Sequence, residues 1–147
     1  MNPITIPIKI GTVGELLVTL RLLQYGVQAA PPIKDSGNDL IAVRYKAFRA
    51  IQVKTTTTNR FNNLEDLPHR LYHYVAFVHL VIKGEGFDLE NSKIFLVEDY
   101  KIEQGSYKIE HFADLELNQE RIDELFAVDD EDFEVEFLNE LDEPVEI

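Results

Sequence analysis

Residues 34–43, Lys-Asp-Ser-Gly-Asn-Asp-Leu-Ile-Ala-Val, and residues 50–55, Ala-Ile-Gln-Val-Lys-Thr, decide how the chain is read. Asp39 opens the apolar run Leu40 to Val43, which has the character of a buried strand. Ile51-Gln52-Val53-Lys54 alternates apolar and polar residues at strand period, so Gln52 and Lys54 share one face. A return through Arg44-Tyr45-Lys46-Ala47-Phe48 lays that face beside Asp39, and a carboxylate and an ammonium then converge on one small volume.

Around this pair the chain divides into recognisable elements. Thr12 is placed to cap a helix over Val13 to Tyr25, with Val13, Leu16, Leu17, Leu20 and Leu23 as its apolar face and Gly26 as its stop. Val27 to Ala30 reads as a brief first strand ended by Pro31-Pro32, and Ser36-Gly37-Asn38 is turn chemistry leading into the Asp39 strand. Asn62 to His73 is expected to form a second helix, with Pro68 near its first turn or kinking it. Val75 to Ile82 is apolar enough for a central strand, and Lys93 to Val97 supplies another after the Gly84-Glu85-Gly86 turn. Asn118 caps an expected last helix whose buried stripe is Ile122, Leu125 and Phe126. Phe133, Val135 and Phe137 then alternate with Glu134 and Glu136 in an acidic tail.

The chain has 147 residues, enough for one domain with a proper core. It has no cysteine, which excludes disulfides, thiol nucleophiles and cysteine-bound zinc. No apolar run reaches bilayer length and no leader pattern opens the chain, so a cytoplasmic protein with no membrane partner is the expectation. The net charge of −13 argues at first against a polyanionic partner. Its distribution reverses that argument. Residues 114–147 hold 15 acidic side chains and the single cation Arg121, whereas residues 1–113 hold 12 acidic and 13 basic ones. A core over 1–113 followed by an acidic C-terminal helix and tail over 114–147, within the same domain or appended to it, is the expected organisation.

The element order, with Gly14-Glu15 on the first helix, Ser36-Gly37-Asn38-Asp39 and Gln52-Val53-Lys54, resembles the PD-(D/E)xK nuclease superfamily in its QxK form, over roughly residues 11–98. The resemblance implies an α/β, restriction-endonuclease-like αβββαβ core, with a mixed central sheet flanked by helices and an acidic C-terminal extension. It matches Glu15 to the helix glutamate that completes the metal shell in many members, Asp39 to the metal-binding aspartate, Gln52 to the (D/E) position and Lys54 to the lysine. Holliday-junction resolvases show a similar Ser-Gly run before their aspartate, and some restriction and homing endonucleases carry Gln in place of the acid.

The chemistry of these residue types agrees with that resemblance. Hydrolysis of a phosphodiester builds charge on the phosphoryl and leaving oxygens, and Mg²⁺ or Mn²⁺ held by one or two carboxylates and an amide oxygen meets it. Asp39, Gln52 and Glu15 form that donor set, and Lys54 is placed to orient water or neutralise charge. Gln52 is the departure from the family pattern, since an amide oxygen brings no charge. A metal-dependent DNA endonuclease, acting as a homodimer where two strands are cut, is therefore expected. The alternative is an inactive member of the fold serving as a nucleic-acid or protein-binding module. Arg44, Lys46, Arg49 and Arg60, with Thr55, Thr56 and the run on to Thr58, are the candidate DNA contacts. The acidic tail is read either as a self-inhibitory stand-in for nucleic acid or as a partner-binding segment. His69 and His73 have the spacing of a zinc pair, but Arg70 stands where a metallohydrolase helix carries its glutamate.

Overall fold

A computed structural model describes residues 4–34, 37–62, 64–65, 67, 71–102 and 105–128. The acidic tail beyond Val128, with Phe133, Val135 and Phe137, lies outside the described residues, as do His69 and Arg70.

Helix α1 runs over Ile6–Gln24, a full two turns longer toward the N-terminus than the Thr12 cap predicts. Its N-cap is Thr5, and Pro7 sits in the first turn, where the missing N–H and fixed φ suit a helix start. Gly26 ends it at φ +80, with its N–H donating to Leu23 O at 3.0 Å. A left-handed residue is needed there, and glycine adopts it without a Cβ penalty.

Strands β1 (Gln28–Ala30), β2 (Leu40–Arg44), β3 (Ala47–Thr56), β5 (Tyr74–Lys83) and β6 (Gly86–Glu98) form one sheet in the order β1-β2-β3-β5-β6. β3 and β5 are parallel and every other neighbouring pair is antiparallel, so the sheet is mixed. β4 (Arg60–Phe61) and β7 (Tyr107–Lys108) pair as a separate two-stranded ribbon. Helix α2 (Gln119–Leu125) closes the described chain, and the Asn118 side chain caps it by accepting from Arg121 N at 2.8 Å. This α/β architecture is the restriction-endonuclease-like fold.

Each face of the sheet carries its own core. Leu40, Ala42, Ile51, Val53, Ala76, Val78 and Leu96 pack on one face against Leu17, Val18 and Leu22 of α1 and Ile122, Leu125 and Phe126 at α2. Val75, Phe77, Phe95 and Val97 face the other way, under Phe61, Leu64, Leu67 and Phe112. Thus α2 contributes its apolar stripe directly to the main core. Its C-terminal carbonyls are tied down as well, because Leu125 O accepts from Tyr74 Oη at 2.5 Å and from Arg49 Nε at 3.1 Å.

Two expectations change. The parallel β3–β5 pair is joined through the stretch that holds the expected second helix, Asn62 to His73, of which residues 63, 66 and 68–70 lie outside the described ones. Among the described residues of 62–73 no α-helix is present: Leu67 N donates to Leu64 O at 3.2 Å, a tight three-residue turn. Leu64 and Leu67, three apart, are both buried on the Phe77 face, so the apolar spacing belongs to a turn laid across the sheet. Second, the last sheet strand spans thirteen residues, Gly86–Glu98, where only Lys93 to Val97 is apolar enough to announce it.

Candidate active site

Asp39 stands one residue before β2. Asp39 N donates to Ile51 O at 2.9 Å, one residue off the ladder that pairs Leu40 with Ile51, so Asp39 lies against the β3 backbone next to Gln52. Asp39 Oδ2 accepts from Val53 N at 2.8 Å. That contact occupies a backbone donor that β2 no longer reaches and fixes the carboxylate at the edge of β3. Oδ1 makes no hydrogen bond among the described residues. Asn38, itself buried, donates from Nδ2 to Leu71 O at 3.5 Å and ties the approach to Asp39 to the crossover segment.

Gln52 is 4% exposed, and its Oε1 is buried with no hydrogen-bond partner among the described residues. A buried carbonyl oxygen without a donor costs about 1–3 kcal/mol. Strand alternation puts Lys54 on the same face, where it lines a cleft of about 300 Å³ with Thr56, Thr58, Arg60, Asn62 and Leu64. Lys54 makes no ion pair among the described residues. Gln52 and Lys54 thus share one face of β3, and Asp39 is hydrogen-bonded to β3 at Ile51 and Val53, on either side of Gln52.

Glu15 arrives from the other face. A Cβ built on Gly14 would lie 1.9 Å from Thr55 Oγ1, so α1 crosses β3 in near backbone contact at the stretch where β2 no longer flanks it. Half-buried Glu15 is next in sequence. Among the described residues no three His, Asp or Glu side chains form a ready metal cluster. The expected donors Asp39, Gln52 and Glu15 include two carboxylates and one buried amide oxygen. An uncoordinated oxygen beside a carboxylate fits a hard cation, which takes oxygen ligands of both kinds.

The candidate DNA contacts separate. Arg44 pairs with Asp123 at 2.7 Å and donates to Ile122 O, and Arg49 donates to Leu125 O and Ala127 O. Both hold the C-terminus of α2, where cations favour the helix dipole. Lys46 lies at the turn of the β2–β3 hairpin, about 25 Å along extended chain from Lys54. Thr55 meets α1 at Gly14 and also lines the cleft. Thr56 and Arg60 do line the cleft, joined there by Thr58 and Asn62. Thr58 falls within the threonine run expected to contact phosphate, whereas nothing in the sequence singled out Asn62 for this cleft. His73 Nδ1 accepts from Ala50 N at 2.9 Å, a structural use.

Comparison with solved structures agrees on the fold. The Archaeoglobus fulgidus Holliday junction resolvase Hjc superposes with a TM-score of 0.55 at 18% identity, covering 78% of this chain and 93% of that one. The bacterial homing endonuclease I-Ssp6803I gives 0.51 at 14% identity, over 70% and 73% of the two chains. Both are restriction-endonuclease-like proteins of the PD-(D/E)xK type. No protein-family profile matches the chain, and no curated protein is significantly similar in sequence. Among the described residues no helix is long and apolar enough to cross a membrane.

Proposed function

We propose that this chain is a divalent-metal-dependent endonuclease that hydrolyses phosphodiester bonds in DNA. The observation that carries the reading is the buried, donorless Gln52 Oε1 beside Asp39, with the Lys54 ammonium on the same face. Both solved neighbours are named as enzymes of DNA, a resolvase and a homing endonuclease. Asp39, Gln52 and Glu15 would hold Mg²⁺ or Mn²⁺. The chemistry such a cation supplies when bound is Lewis acidity toward a phosphoryl oxygen and positive charge opposite the developing oxyanion.

The remaining work falls to side chains. Val53 N–H holds Asp39 in one orientation, so the carboxylate is preorganised before substrate arrives. Lys54, half-buried at the cleft, orients the attacking water and offsets charge on the phosphoryl group. Thr58 and Asn62 supply neutral hydrogen-bonding groups along the cleft wall. One such site cuts one strand. For both strands we propose a second copy of the chain, and the exposed Leu16, Leu20 and Leu23 on α1, beside the free edge of β1, provide an apolar surface for it.

A second reading rests on Gln52. With no charge at that position the cation is held more weakly, and the same surface could bind nucleic acid or protein without cleaving. Incubation with supercoiled, linear, single-stranded and branched DNA in Mg²⁺ or Mn²⁺, beside a chelator control, separates the two. Metal-dependent cleavage of any form supports the endonuclease, and binding without cleavage in every metal supports the module.

A further inference from the structure

The β4–β7 ribbon has four residues, two rings turned inward and two cations turned outward. Phe61 and Tyr107 are Cα partners and pack on Phe77, with ring centroids at 4.9 Å and 6.1 Å. Phe77 is in turn the register partner of Lys54 on β3. The ribbon is thus anchored on the face that carries the candidate site, one strand away from Lys54. Its outward pair is Arg60 and Lys108, directly opposite one another and both exposed.

Like charges facing each other across an antiparallel pair destabilise it. Here nothing among the described residues relieves them, because neither cation makes an ion pair. Arg60 is nevertheless held firmly. Its carbonyl accepts from the Thr56 and Thr58 hydroxyls at 2.9 and 3.2 Å, its N–H donates to Thr58 Oγ1 at 3.3 Å, and Nη1 donates to Ser106 Oγ at 3.3 Å. The next rung is closed by Ile109 N donating to Asn59 O at 3.0 Å. Arg60, held in place and lining the Lys54 cleft, stands opposite the exposed Lys108 across the ribbon, an arrangement suited to an anion that bridges the two.

We infer that the Arg60–Lys108 pair is a phosphate clamp that grips the DNA backbone beside the phosphate at Lys54. The inference rests on the nuclease reading for its substrate, and it adds Lys108, which the motif leaves out. It gives orientation without sequence preference, as backbone contacts do.

Lys108→Glu tests it, since a glutamate there would pair with Arg60 and remove both cations from the phosphate. Binding to a short fluorescein-labelled duplex is followed by anisotropy in chelator, at several salt concentrations, with Lys83→Gln/Lys93→Gln as a control for net charge. The expected result is an affinity loss of about tenfold or more and a salt slope smaller by about two units. The thermal midpoint should hold or rise, because the like-charge pair is gone. An unchanged slope, a lowered midpoint accompanying the lost affinity, an equal loss in the control, or no duplex binding by the parent chain overturns the clamp. Binding through the ribbon with no cleavage would sink the nuclease reading and leave the clamp standing. Cleavage with an unchanged slope in Lys108→Glu would do the reverse.

Discussion

Gln52 is the residue at which fold and chemistry meet. Its position was legible because Ile51-Gln52-Val53-Lys54 alternates, and alternation at strand period fixes which side chains share a face. Its burial without a donor among the described residues was not legible, since alternation does not say what covers the face. Gln52→Glu is expected to tighten Mn²⁺ binding by about tenfold or more, read by calorimetry, because ligand charge count sets affinity for hard cations. The same change should lower the thermal midpoint of the metal-free protein, since the new carboxylate is buried beside Asp39. Equal metal affinity in the two proteins would remove Gln52 from the donor set.

At the scale of elements, the close crossing of α1 over β3 holds the two halves of the site together. Gly14 is there because any Cβ would collide with Thr55. Gly14→Ala is expected to destabilise by about 1–3 kcal/mol in urea unfolding, as overpacking does, and to weaken metal binding by displacing Glu15. An unaltered midpoint would show that the helix can move freely. The join between β6 and α2 carries a pH dependence. Burial works to raise the Glu98 carboxyl, but backbone hydrogen bonding, Lys101 and Arg121 outweigh it and hold it below its ordinary 4.5. A lowered carboxylate stabilises the fold above 4.5 and loses that contribution as the pH falls through the native value. Glu98→Gln should therefore be less stable than the parent at neutral pH and converge with it in acid; a constant difference across the range would contradict this. Strands β2, β3 and β5 announced themselves by apolar content. The first two turns of α1 did not, because Pro7 and Gly11 resemble breakers although proline fits a first turn. The β4–β7 ribbon could not, since two residues hold no period.

Over the whole molecule, the sheet order places the motif where β2 stops short of β3, so that an edge of β3 beyond Gln52 is open to a helix on one side and a cleft on the other. The charge asymmetry, with the acids concentrated behind residue 113, keeps the front of the chain compatible with a polyanion. What the sequence could not place were the arginines. Arg44 and Arg49 looked like a phosphate rim in the linear chain, yet they hold the end of α2, a contact between residues about 75 to 80 apart that no local pattern encodes. The central claim, that Asp39, Gln52 and Lys54 form a metal-dependent phosphodiesterase site, is tested most directly by the rate of nicking of supercoiled DNA in Mn²⁺ or Mg²⁺ for the parent chain, Asp39→Ala and Lys54→Ala. Nicking that needs the metal and falls by about a hundredfold or more in each variant, with the fold intact, is the predicted result; nicking that survives either substitution, or that persists in chelator, would contradict it.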